Sequence, residues 1–476
     1  MNTLIDNQIS RRSFLDFSVS GLGSAALVNL LGQSQNASGS LESGHPIAKA
    51  KRAIHICLVG GFSQVDSFDY KPQLDKLHGK SLPSRAKPQT FFGNIGLLRK
   101  SEWKFRQRGK CGLWVSDLFP NLASVADDLT VINSMVADTA NHMPAMFQEL
   151  CGFQSNGFPS LGSWLSYGLG NESESLPTFV VLPDARSLPN GGASNWSNGF
   201  LPARHQGTLF GDGVHPVRNL FANQKLSPES KNEAFNLLKE LNASHLELHD
   251  GNDLLNARIR SYELAARMQV SVPEAVDFNS EPGFIKDLYG LDNPTTADCA
   301  RRCILSRRLL ERGVRFVQLF SGGAFGGKPR HGWDGHENNR VNHQREAGLI
   351  DQPVAALIKD LKQRGMLDDT LLLFTSEFGR TPFTQSGANQ LGLGRDHNAD
   401  GFTVWMAGAG LKGGMAYGES DDIGWRAATN KVTWPDFHAT VLHLLGINHE
   451  ALTWYHNGID RRLTNVHGHV ISDIIA

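Results

Sequence analysis

Cysteine is scarce in this chain of 476 residues. The five present, Cys57, Cys111, Cys151, Cys299 and Cys303, are odd in number. Their spacing fits neither a zinc knuckle nor a disulfide framework. Cys299 and Cys303 stand four apart in a helical stretch and read as two small buried residues. A charge excess of one sign is also missing: the formal net charge is -1. That excludes a global field steering the chain to nucleic acid or to an acidic membrane. Long apolar runs are lacking too. The most apolar stretch, Phe17 to Leu31, is broken by Ser18, Ser20, Ser24 and Asn29. It is too short and too polar for a membrane span, so no stable span is expected in the mature form. Internal repeats are absent.

What precedes that stretch is informative. Ser10-Arg11-Arg12-Ser13-Phe14-Leu15 has the pattern of a twin-arginine export signal. A signal peptide over residues 1–40 fits better than an amphipathic helix with a chance arginine pair. Cleavage is expected near Ala37 or Ser38, with the twin-arginine translocase as export partner and a periplasmic or secreted destination. Proteins on this route are exported folded, which agrees with low cysteine use and a metal loaded before export.

From Ala53 onward, short β-rich runs alternate with helical patterns. Expected strands are Ala53–Val59, Leu129–Asn133, Thr178–Leu182, Val314–Phe320, Thr370–Thr375 and Phe402–Ala407. Several are continuous apolar runs, as in strands covered on both faces. Helices are expected at Pro144–Cys151, Ser160–Gly168, Thr296–Arg312, Asn342–Arg364 and Trp434–Leu445. The alternation predicts one α/β domain over residues 50–476, a three-layer sandwich around a mostly parallel sheet. Ser227-Pro228-Glu229 is a good helix start and opens a helical insertion at about 225–275. Residues 82–110 have little periodicity and read as a surface excursion.

In such sheets ligands bind beyond the carboxyl ends of the strands, so the residues that follow each strand matter most. After the first strand, Gly60-Gly61 gives a tight turn, and Asp66 and Asp69 provide oxygen donors or caps. After the second, Asn141-His142-Met143-Pro144 opens a helix. That places His142 in the positive field of a helix N-terminus or leaves it as a surface residue behind an Asn cap. Further on, Trp333-Asp334-Gly335-His336 sets a carboxylate and an imidazole two apart in a Gly-flanked loop. Glu377 and Arg380 emerge together after the strand Thr370–Thr375, as a metal ligand with an oxyanion clamp or as a structural pair. Arg395-Asp396-His397 supplies a second carboxylate–imidazole pair beside an arginine. Imidazole with carboxylate suits zinc, manganese or iron; carboxylate alone suits calcium or magnesium.

The order of these motifs resembles the alkaline-phosphatase superfamily, which includes the sulfatases. Leu371–Gly379 is similar to its strand ending in Ser-Asp-His-Gly, His397 to its metal-binding His before a strand, and Asp436–Leu442 to its closing helix. Nearly the whole mature chain resembles the domain of unknown function family 1501, a sulfatase-like set. The matching segments are Gly60–Asp69, Trp114–Pro120, Asn141–Ala145, Arg312–Gln318, Glu377–Pro382 and Gly394–His397.

The resemblance implies a divalent metal (calcium, or zinc or manganese) held by Asp66, Asp334, His336, Glu377, Asp396 and His397. It implies His142, Arg380 and Arg395 as catalytic groups, and hydrolysis of sulfate or phosphate esters. The substrate would be a small anionic ester or a sulfated glycan. There are departures. The superfamily's Ser, Thr or Cys nucleophile position reads His142-Met143-Pro144-Ala145, so the alternative is a non-catalytic, metal-stabilised protein that binds an anionic glycan or surface polymer. Ser81-Leu82-Pro83-Ser84-Arg85 matches the serine form of the sulfatase modification motif, but no strand leads into it, and it reads as chance.

Overall fold

The computed structural model of the chain describes residues 44–476 apart from 83–89, 212–226, 325–329 and a number of positions between 249 and 271. The expected export signal, its cleavage positions, and Pro83, Ser84 and Arg85 of the sulfatase-like pentapeptide lie outside the described residues.

All six strands expected from the sequence form. They are β1 (Arg52–Leu58), β2 (Leu129–Val136), β3 (Phe179–Leu182), and, after the short β4 (Thr208–Leu209), β5 (Phe316–Ser321) and β6 (Thr370–Ser376). Two strands follow that the sequence reads as loops, β7 (Gly379–Thr384) and β8 (Arg395–Asn398); β9 (Phe402–Gly408) is the sixth expected one. The short β10 (Met415–Tyr417) and β11 (Val432–Thr433) also join the central sheet. The central nine-stranded sheet has the order β10-β2-β9-β6-β1-β5-β3-β4, with β11 beside β2. Every pairing is parallel except the two made by β9. The sheet is thus the mostly parallel one the strand–helix alternation predicts.

Period-two alternation divides each central strand between two cores. On β1, Ile54, Ile56 and Leu58 face one apolar cluster, and Ala53 and Cys57 the other. Helices α1 (His142–Cys151), α2 (Leu161–Leu169) and, at the chain's end, Trp434–Leu444 cover the second face through Met146, Leu150, Trp164, Leu165, Phe437 and Val441. The first face is covered by two long helices, Ala297–Glu311 and Asn339–Gln363, through Cys303, Ile304, Leu309, Val354, Leu357 and Leu361. Each fully buried aliphatic side chain stabilises the fold by roughly 1.5–3 kcal/mol. Cys299 and Cys303 are free and buried, as expected. Helix Pro228–Glu247 starts where Ser227 caps it, its side chain accepting from Ser230 N. Among the described residues, no helix is long and apolar enough to cross a membrane.

This topology gathers the functional candidates on one edge. Leu58 of β1 pairs with Ser376 of β6 and with Ser321 of β5, so these carboxyl ends are level. Because β9 is antiparallel, its first residue Phe402 pairs with Met135 near the end of β2. The segment entering β9 therefore arrives at the same edge. That segment is not a loop: β8 folds back on β7 as an antiparallel ribbon, with His397 opposite Arg380.

Candidate metal centre

Four side chains meet beyond the carboxyl ends of β1, β2 and β6. Ligand atoms of His142, Asp334, His336 and His397 all lie within 4.8 Å of one another. Asp334 follows Trp333, whose N–H is held by the Val59 carbonyl at 2.8 Å, so the loop is fastened to the end of β1. Gly60 makes this approach possible. Its φ is +124°, and a Cβ there would sit 2.6 Å from the Asp334 nitrogen.

Asp334 is the hub. Its Oδ1 accepts from Arg380 Nη2 at 2.6 Å and faces His336 Nε2 at 2.8 Å, with His142 Nε2 and His397 Nε2 each at 3.5 Å. Its Oδ2 pairs with Arg330. Burial would raise this carboxyl's pKa, but the Arg380 guanidinium and the three imidazoles hold it far below the usual carboxylate range.

Each imidazole is anchored by its other ring nitrogen. His142 Nδ1 lies 2.8 Å from Glu377 Oε1, His397 Nδ1 lies 2.7 Å from the Ala140 carbonyl, and His336 Nδ1 bonds the side-chain oxygen of Gln385. The Glu377 carboxylate and the Ala140 carbonyl only accept, so the Nδ1 atoms of His142 and His397 carry protons. A neutral His397 therefore has its lone pair on Nε2, which faces His336 Nε2 at 2.8 Å, while His336 Nε2 also lies 2.8 Å from Asp334 Oδ1. A proton on one of these atoms, or a cation between them, answers so close an approach. Such a pair beside a carboxylate, with hydrogen-bonded far nitrogens, fits a bound cation.

The three rings differ electrostatically. Burial holds His397 well below its ordinary pKa, and the charges of Arg380, His142 and His336 add to this against the raising effect of Asp334. It is a neutral imidazole, as a ligand must be. For His142 burial again lowers, but hydrogen bonds to Asp334 and Glu377 and their charges win, and its pKa is raised. His142 opens helix α1, and its side chain is 13% exposed against 7% and 2% for the other two.

The remaining sequence candidates stand one step back or elsewhere. Glu377 is fully buried; its carboxylate accepts from Gly60 N at 2.9 Å and holds His142. Arg380 spends its guanidinium on Asp334 and on the carbonyls of Gly60, Gly61 and Arg395. Arg395 and Asp66 form a separate buried ion pair, with Nε 2.9 Å from Oδ2. Asp66 also accepts from Ser63 Oγ at 2.6 Å and Asn339 Nδ2 at 2.9 Å. Asp396 accepts from the His397 and Phe92 backbone nitrogens. The structure thus brings Asp334, His336, His397 and His142 together, backs them with Glu377 and Arg380, and keeps Asp66, Arg395 and Asp396 out of the cluster. Sequence reasoning missed Arg330, Gln385 and the Ala140 carbonyl. It also missed Phe91 and Phe92, whose rings rest on His397 and His336 at 5.0 and 5.1 Å. No motif marks these residues, since their roles come only from contact.

A family described as "Protein of unknown function (DUF1501)" matches residues 50–475. No curated protein sequence is significantly similar to the chain. Among solved structures, a lipoteichoic acid synthase from Listeria monocytogenes is 12% identical; the alignment covers 93% of this chain and 80% of that one, with a TM-score of 0.36. A sulfatase from Pseudoalteromonas sp. is 14% identical over 96% and 76%, with a TM-score of 0.36. The C-terminal periplasmic domain of EcEptC from Escherichia coli, a zinc complex, is 12% identical over 91% and 96%, with a TM-score of 0.34.

Proposed function

Starting from the fact that the chain belongs to the DUF1501 family, we propose that it is an exported metal-dependent hydrolase of sulfate or phosphate esters. The observation that carries this is the pair of opposed Nε2 atoms of His336 and His397 beside Asp334. These three residues would hold one divalent cation. Two imidazoles and a carboxylate suit zinc, manganese or iron better than calcium, which prefers oxygen. A cation held there supplies a Lewis acid for an ester oxygen.

The chain's own groups do the rest. Arg380 and Arg330 fix Asp334 from both sides. Glu377 orients His142 through Nδ1. With its raised pKa and partial exposure, His142 is suited to hand a proton to the leaving oxygen. The anionic substrate approaches from the exposed side, where Phe91 and Phe92 flank the two ligand imidazoles. The test is elemental analysis of the purified protein beside a panel of sulfate and phosphate esters. One equivalent of a transition metal, with turnover lost in both His142→Ala and Glu377→Gln, is expected. Undiminished turnover in both variants would sink this site.

One observation favours a second reading, a non-catalytic protein binding an anionic glycan or surface polymer. Arg380 and Arg395, the two arginines expected to clamp an oxyanion, are both buried and engaged with protein partners. That reading predicts metal and polymer binding with no release of sulfate or phosphate from any ester; metal-dependent release excludes it.

A further inference from the structure

A cleft of about 650 Å³ opens beside the segment 99–105, away from the residues of the metal cluster. Its lining is basic, although the chain as a whole has a net charge of -1. Lys71, Arg99, Lys100, Lys104 and Arg340 line it, against Asp75 and Glu102. The acids do not neutralise it evenly. Glu102 is taken by Arg99 and by Arg340 at 3.3 Å, and Lys71 pairs with Asp69 at 3.0 Å. Lys100 and Lys104 are exposed and form no ion pair with an acid among the described residues. His78, at the rim, is held below its ordinary pKa by desolvation and then by the charges of Lys100 and Arg99. A proton there feels a positive field. The walls are aromatic: Tyr70, Trp103 and Phe105 line the cleft, with Tyr70 and Phe105 at 5.1 Å.

The cleft's backbone is tied to the strand that carries His397. Arg395 donates from Nη2 to the carbonyls of Arg99 at 3.0 Å and Lys100 at 3.3 Å. His397 lies two residues further along the same strand. A volume of this size exceeds the needs of a single sulfate or phosphate. Unpaired lysines above aromatic walls suit a chain that carries repeated anions on an amphipathic backbone. A nucleic-acid site of similar strength would need a broad basic face; here Asp75 and Glu102 interrupt the lining, and Lys71, Arg99 and Arg340 are paired with acids.

We propose that this cleft is a second binding site, which takes a stretch of sulfated or phosphorylated polysaccharide through Lys100 and Lys104. The choice of polysaccharide rests on the ester-hydrolase reading above, but binding here requires neither metal nor turnover.

The experiment measures binding of the full-length, metal-loaded protein to short dextran sulfate, to neutral dextran of equal length and to a poly(dT) oligonucleotide, at two salt concentrations. The lysine variant is K100E/K104E. The control is K239E/K431E, which changes net charge equally at exposed lysines elsewhere. Expected are binding of dextran sulfate but not dextran, a loss of ~10-fold or more in K100E/K104E with a shallower salt dependence, and a much smaller loss in the control. The proposal is overturned by equal losses in the two variants, by tighter binding of poly(dT), or by equal binding of dextran. His336→Ala separates it from the function proposed above: metal and turnover should vanish while dextran sulfate affinity stays. K100E/K104E should keep metal content and melting temperature.

Discussion

Two buried Asp–Arg pairs stand at one edge of the sheet among the described residues, and they do different work. Asp66 and Arg395 meet at 2.9 Å, and Asp334 and Arg380 at 2.6 Å. Around Asp66 the other partners are donors, Ser63 Oγ and Asn339 Nδ2, so the carboxylate's charge is fully answered. Around Asp334 the other near neighbours include three imidazole nitrogens, two of which face each other at 2.8 Å. The first pair is closed and structural. The second leaves ring nitrogens and a carboxylate oxygen converging on one point, an arrangement that could hold a cation. An Asp–Arg pair in a sequence therefore says little about chemistry; the geometry of the third partner decides.

The sharpest way to break this comparison is to remove a ring from the open pair. His336→Ala should reduce bound metal by more than the roughly 10–100-fold that loss of a supporting residue costs, and hydrolysis should fall with it. Elemental analysis checks this, and full metal retention would mean the imidazoles are not ligands. Next comes the closed pair. Asp66→Ala leaves Arg395 buried and uncompensated, which costs about 3–5 kcal/mol. Thermal unfolding should show the drop, while the folded fraction keeps its metal. If metal is lost instead with stability intact, the two pairs have exchanged roles.

A smaller effect is expected for Glu377→Gln. It keeps shape and the contact to Gly60 but weakens the hold on His142 Nδ1. Metal affinity should fall by at most ~10–100-fold, while turnover is lost even at fixed metal occupancy.

The mildest prediction concerns pH. Beneath the site, Glu149 is buried beside Thr375 and near Glu377, and burial followed by the Glu377 charge pushes its pKa up to about 8. The folded state thus holds a proton that the unfolded chain releases near its ordinary value. Its contribution to stability is present below about 4.5 and is lost as pH rises toward about 8. Burial lowers His55 to about 3 and His438 to about 4, which acts oppositely, removing stability as pH falls below 6.5. Glu149→Gln should therefore gain on wild type in melting temperature as pH rises from 5 to 8. A difference that stays flat across that range would show the carboxyl ionised throughout.

Much of the fold was legible in the chain itself. The six long apolar strands and their helices follow from burial on both faces, which makes β-rich runs continuous. The helix start at Thr433 carries a full capping box with Asp436, a local signal. The ribbon of β7 and β8 was not legible. Arg380, Arg395, Asp396 and His397 are polar and buried, a combination that no hydrophobic period reveals. Their strand character comes from pairing with each other, which is a long-range fact.

The sequence by itself determined the family and the mostly parallel sheet, and it placed candidate cation ligands at strand ends, because residue type and strand-end position are local properties. Only the tertiary structure decided which of them converge. Asp334, His336 and His397 meet because a glycine at position 60 lets the Trp333–Asp334 backbone rest on the end of β1. Asp66, Asp396 and Arg395 turn away because buried charges go to the nearest strong partners. In that folded core, those partners were a matter of ångströms rather than of spacing along the chain.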